Sequence, residues 1–180
     1  MNRRVVLNTL AASAAMLVAS QTTARPLHFL LEKKVKAYRA KVEAWAQSPD
    51  IIAMARAGFN KSDPALASAD WKSRSVPRAI SVMLNNDVSR KMAKLARDPA
   101  IAKLTLLNSQ GDVLGSAGKP RDYNLGDTLA FNEAIYGGLW SANRSRIDPV
   151  LNKYLVGLSA PIFDRNREVG VLYMQLFSEK

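Results

Sequence analysis

The chain has 180 residues, long enough for one domain with a core of its own, and its 48% apolar and 23% charged content is that of a globular protein rather than a disordered one. It has no cysteine and a single histidine, His28, which excludes disulfides, thiolate metal sites, thiol catalysis and multi-histidine metal sites. The formal charge of +11 favours an acidic partner, whether an anionic ligand, an anionic membrane surface or nucleic acid.

Residues 1–24 read as an export signal. Arg3 and Arg4 form a positive start, residues 5–19 are apolar and rich in Ala and Leu, and Thr22, Thr23 and Ala24 supply small residues for cleavage. The apolar run is shorter than the roughly 20 residues a membrane-spanning helix needs. Cleavage near Ala24 is therefore expected over a retained anchor, which places the chain in the periplasm or outside the cell. Asn2 to Leu7 also fits a twin-arginine pattern, with an ordinary secretory signal as the alternative. Removing Arg3 and Arg4 from 26 basic residues against 15 acidic ones leaves a net charge of +9. An exported protein does not normally meet nucleic acid, so that class of partner is set aside.

Pro26 suits a first helical position, and a helix is expected from there to about residue 47. Leu31, Val35, Tyr38, Val42 and Trp45 form one apolar stripe on it, while Lys33, Lys34, Lys36, Arg39 and Lys41 occupy other faces. Ser48 and Pro49 open a short helix that ends at Gly58. Residues 59–74 read as a loop. One helix is then expected from Ser75 and Pro77 onward, with Ile80, Leu84, Val88, Met92 and Leu95 as its stripe.

From residue 104 the pattern changes to strands. Residues 104–107 and 113–116 flank a turn in which Gly111 can take the positive φ required. Asp127 is placed to cap a helix running through Tyr136, which Gly137 and Gly138 end, and a middle strand is expected over 139–147. Residues 154–163 and 168–177 form the clearest hairpin, around Asp164 to Arg167. In its first strand Val156, Leu158, Ala160 and Ile162 fall on one face, and Leu155, Gly157 and Ser159 on the other.

This order of elements resembles the extracytoplasmic Cache domain, also called PDC, a PAS-like sensor fold. The resemblance rests on residues 104–114, LTLLNSQGDVL, with Asn108 where the family usually has Asp. It rests also on residues 122–127, DYNLGD, and on residues 157–164, GLSAPIFD, followed by Val169 to Leu172. It covers about residues 27–177. It implies an α+β fold: a PAS-like antiparallel sheet of about five strands with the long N-terminal helix packed on one face, in a single sensor domain over residues 25–180. Such domains usually sit between two membrane helices of a receptor or kinase. No second apolar span or output domain follows here, so a free-standing module is expected.

The resemblance also implies where a ligand would sit: on one face of the sheet, under the loop and helix between the hairpins. Family members often bind small carboxylates or amino acids. The matching positions are Tyr123, Phe131, Trp140, Arg144, Arg146, Asp148, Lys153, Ser159 and Tyr173, with Gln175 beside the last. Arg144 and Arg146 are two apart, so on a strand they share a face and can grip one carboxylate. Lys153 and Ser159, six apart, also share a face. Asp148 could take a ligand amine, although Asp-Pro also opens turns.

An enzyme is not expected. No glycine-rich phosphate loop follows a strand, no Gly-x-Ser-x-Gly elbow occurs, and the acids are scattered. No cofactor is implied. Two functions remain. One is an envelope sensor that binds a small anion or amino acid and acts through a membrane receptor partner. The other is an interaction protein using the basic helix 27–47 for homodimerisation or for contact with anionic lipid or an acidic partner.

Overall fold

The computed structural model describes residues 25–26, 29–73 and 75–179. The export signal expected over 1–24, and His28, lie outside the described residues. In chain order the elements are β1 (Arg25–Pro26), α1 (Phe29–Ala46), α2 (Pro49–Gly58), α3 (Pro64–Ala67), α4 (Arg78–Leu84), α5 (Asp87–Leu95), β2 (Ile101–Asn108), β3 (Val113–Ala117), α6 (Leu129–Gly137), β4 (Trp140–Ser141), β5 (Arg144–Asp148), β6 (Lys153–Asp164) and β7 (Arg167–Phe177).

The strands form one antiparallel sheet in the order β1-β5-β6-β7-β2-β3, with β4 pairing β6 beside β5. The expected sheet of about five strands corresponds to the longer ones, and β1 and β4 add two residues each. The β6–β7 hairpin is its spine, paired from Leu155 opposite Phe177 to Asp164 opposite Arg167, with a one-residue shift between Ile162 and Phe163. The expected alternation along β6 holds. Val156, Leu158, Ala160 and Ile162 are buried against the α1 side, in one core with Leu31, Val35, Val42 and Ala46 of α1 and Ile51 and Ala55 of α2. A second core, with Leu66, Trp71, Ile80, Met83, Tyr123, Phe131 and Ile135, packs over Leu107 and Val171. The α1 stripe is thus spent on the sheet of its own chain. Pro161, without an N–H to give, lies beyond the end of the β4 pairing, and its carbonyl accepts from Gln47 Nε2 at 2.9 Å.

Four local expectations are corrected. Helix α1 begins at Phe29, because Arg25 and Pro26 instead run along β5, opposite Ser145 and Arg144; an outer strand tolerates a proline. The helix expected after Pro77 is two helices. Asn86 breaks it by accepting from Ser89 N at 2.7 Å, so that α5 starts afresh and turns its Ser89 and Met92 inward. The cap of α6 is Thr128, not Asp127: Thr128 Oγ1 accepts from Phe131 N at 3.3 Å and donates to Leu125 O at 2.7 Å. The middle strand is interrupted. Trp140 stands opposite Ser159 but Arg146 opposite Leu155, so two residues are looped out around Asn143. The turn expected at Gly111 has the positive φ it needs, 85°.

Candidate functional site

A cavity of about 450 Å³ opens on the face of the sheet away from α1. Its floor follows from strand registry. Thr105 pairs with Tyr173 and Tyr173 with Ser159, while Gln175 pairs with Gly157. Thr105, Tyr173, Gln175, Gly157 and Leu155 face the cavity as one patch. Over it lie Pro120, Arg121 and Leu125 of the loop after β3 and the first turn of α6. The segment from Trp140 to Pro149 closes the side.

Of the residues singled out from the sequence, the structure brings Trp140, Arg144, Arg146, Asp148 and Tyr173 together around this cavity. The other four lie elsewhere. Tyr123 is buried in the second core, its ring stacked on Trp71 at 6.3 Å and its hydroxyl accepting from Asp63 N at 2.7 Å. Phe131 is buried in the same core. Ser159 is buried and donates to Ala130 O at 2.6 Å, which latches α6 onto β6. Lys153 is exposed at the start of β6, opposite Asp148 but outside the cavity lining.

The electrostatics are lopsided. Arg121, Arg144 and Arg146 line the cavity against Asp127 and Asp148. Asp148 is already engaged. Its Oδ2 accepts from Lys103 Nζ at 2.7 Å, and its Oδ1 accepts from Val150 N at 3.0 Å and Leu151 N at 2.9 Å. This ion pair is inside the protein, with the Lys103 side chain 2% and the Asp148 side chain 6% exposed. Tyr173 is held in its neutral form. Burial pushes its phenol up to about 12, and the nearby Arg121 and Arg146 only partly offset this. A neutral phenol can donate a hydrogen bond to an anion across the whole physiological range.

Sequence reasoning missed Lys103, Thr105, Arg121 and Asn143. Lys103 and Thr105 had a signal: they alternate with Leu104 and Leu106, which puts them on the polar face of β2. Arg121, in an irregular loop, had none.

No family model matches the sequence, and no curated protein does. Solved structures do. The ligand-binding domain of the Campylobacter jejuni chemoreceptor Tlp3 in complex with L-norvaline superposes with a TM-score of 0.50 at 15% identity, over 83% of this chain and 55% of that one. The same domain with L-valine gives 0.50 at 16% identity, over 83% and 56%. The Tlp3 sensory domain, again at 0.50 and 16%, is covered over 57%. The chain has the Cache fold. It spans a little over half the length of the Tlp3 domains it matches. The long N-terminal helix, the sheet order and the loop-and-helix cover over one sheet face are this chain's version of the Cache fold. No helix among the described residues is long and apolar enough to cross a membrane.

Proposed function

We propose that this chain is an extracytoplasmic sensor module whose cavity binds a small carboxylate-bearing molecule and which acts through a membrane signalling partner. The observation that carries this is the convergence of Arg121, Arg144 and Arg146 on one cavity of about 450 Å³, a volume suited to a small metabolite. Guanidinium groups are the side chains best matched to a carboxylate, through paired N–H donors. The Tlp3 ligand-binding domain, in its complexes with L-norvaline and L-valine, supports a ligand of this size. On this reading residues 25–180 are one sensor domain that follows a cleaved signal at 1–24.

The alternative, a basic helix serving as a contact surface, has less support. Lys34 donates to Phe177 O at 2.8 Å, Arg39 to Leu139 O at 3.2 Å, and Lys41 to Asp98 at 3.0 Å. Much of the basic face of α1 is thus occupied within the chain. The apolar stripe packs on the sheet, so a dimer through 27–47 would be left with the polar faces and with Phe29 and Leu30, exposed at the start of α1.

The test is a thermal-shift screen against small carboxylates and amino acids. A ligand at about 100 times its dissociation constant adds roughly 2.7 kcal/mol, a shift of several degrees for a domain of this size. A folded protein that responds to none of them would turn attention to the helix surface.

A further inference from the structure

The ion pair beneath the cavity wall bears on which carboxylate the site takes. An α-amino acid brings an ammonium as well as a carboxylate, and desolvating that ammonium requires an acceptor, preferably an anionic one. Two carboxylates line the cavity, Asp127 and Asp148. Asp127 is exposed in the loop ahead of α6, where an ion pair is weakened by water. Asp148 is the buried one, and both of its oxygens already accept, Oδ2 from Lys103 Nζ and Oδ1 from the N–H groups of Val150 and Leu151. A ligand ammonium on Asp148 would have to share Oδ2 with the like charge of Lys103, or displace Lys103 and leave its charge buried without a partner. Nearby, Arg121, Arg144 and Arg146 repel a cation and attract an anion.

We propose that Lys103 serves as a built-in ammonium, already seated on Asp148, and that the cavity therefore selects small carboxylates without an amino group over the matching amino acids. This rests on the ligand-binding reading above and narrows it. Arg144 and Arg146 hold one carboxylate from β5. Arg121, from the loop above, is placed to meet a second anionic group on the same ligand, which makes dicarboxylates suitable as well.

The test uses pairs that differ only by the amine, isovalerate with L-valine and succinate with L-aspartate, titrated calorimetrically into the full chain. At least one pair is expected to bind, with the amine-free member tighter by about tenfold or more. Lys103→Met exposes the Asp148 charge and should narrow or reverse that preference. Lys103→Gln, which keeps a neutral donor on Asp148, does the same should the methionine variant fail to fold. Amino acids binding as tightly as their partners in the wild-type chain would overturn the role of Lys103 and leave the ligand-binding reading standing. A preference unchanged in a folded Lys103 variant would overturn it too. No binding by any of the four at millimolar concentration would overturn the small-carboxylate reading itself.

Discussion

Tyr173 is seated on Gly157. A Cβ at position 157 would come within 2.9 Å of the Tyr173 hydroxyl and 3.0 Å of its Cε2, and within 3.4 Å of Trp140 Cζ3. The bare backbone there lets two aromatic side chains close over β6 and shape the cavity floor. Both neighbours are the far ends of side chains, so they can give way, but only by moving in the cavity. Gly157→Ala is expected to cost about 1 kcal/mol, and Gly157→Val about 1–3 kcal/mol, in urea denaturation. Ligand binding should fall more steeply than stability across this pair. A folded valine variant with wild-type affinity would show that Tyr173 and Trp140 do not contact the ligand.

Arg144 and Arg146 are exposed on β5 and line the cavity. Replacing either with alanine should leave the denaturation midpoint within about 0.5 kcal/mol of wild type. The dissociation constant of a carboxylate ligand should rise about tenfold or more in each. Titration of both variants checks this; unchanged affinity in both would remove these arginines from the site.

Asp98 ties α1 to the start of β2. Its carboxylate accepts from the Tyr38 hydroxyl, from Ala100 N at 3.0 Å and from Lys41 Nζ at 3.0 Å. These donors, Tyr38 foremost, lower its pKa from the ordinary 3.8 to about 2. A carboxyl group depressed in the fold stabilises it above the unfolded value and loses that contribution as pH falls through the folded value. The loss should therefore run from about pH 4 down to about 2. Solvent around the pair keeps it modest, below about 1 kcal/mol. Urea midpoints taken across that window should fall more steeply for wild type than for Asp98→Asn, which has no charge to lose. Parallel slopes would remove Asp98 from the acid response.

Asn86 holds the break between α4 and α5. It accepts from Ser89 N at 2.7 Å and donates to Leu114 O at 2.9 Å, joining the cap of α5 to β3. Asn86→Ala should cost about 1–2 kcal/mol by urea denaturation. Asn86→Asp, which keeps the acceptor and loses the donor, should fall between the two. An alanine variant as stable as wild type would mean that packing of Met92, not the cap, sets the break.

The sequence by itself was enough for the α+β class, the strand-dense second half and the two faces of β6. Each of these depends on periodicity, and a buried sheet face imposes a period of two on every strand it contains. Gly111 was legible for a similar reason, since a tight turn has local chemistry. The family resemblance carried by residues 104–114, 122–127 and 157–164 added Arg144, Arg146, Trp140, Asp148 and Tyr173 on segments that could meet. The tertiary structure alone decided the rest, because the deciding contacts join residues far apart in the chain. Tyr123 and Phe131 had the residue types of a pocket, yet α3 and α4 supply a second core that takes both. Ser159 had the facing position, but the backbone carbonyl of Ala130 stands across from it and accepts the hydrogen bond of its hydroxyl. Asp148 could be read as a partner for a ligand amine until Lys103, 45 residues earlier, was found on its carboxylate. Local pattern records which face a side chain occupies; which charge it meets there depends on how the strands and the covering loops come together.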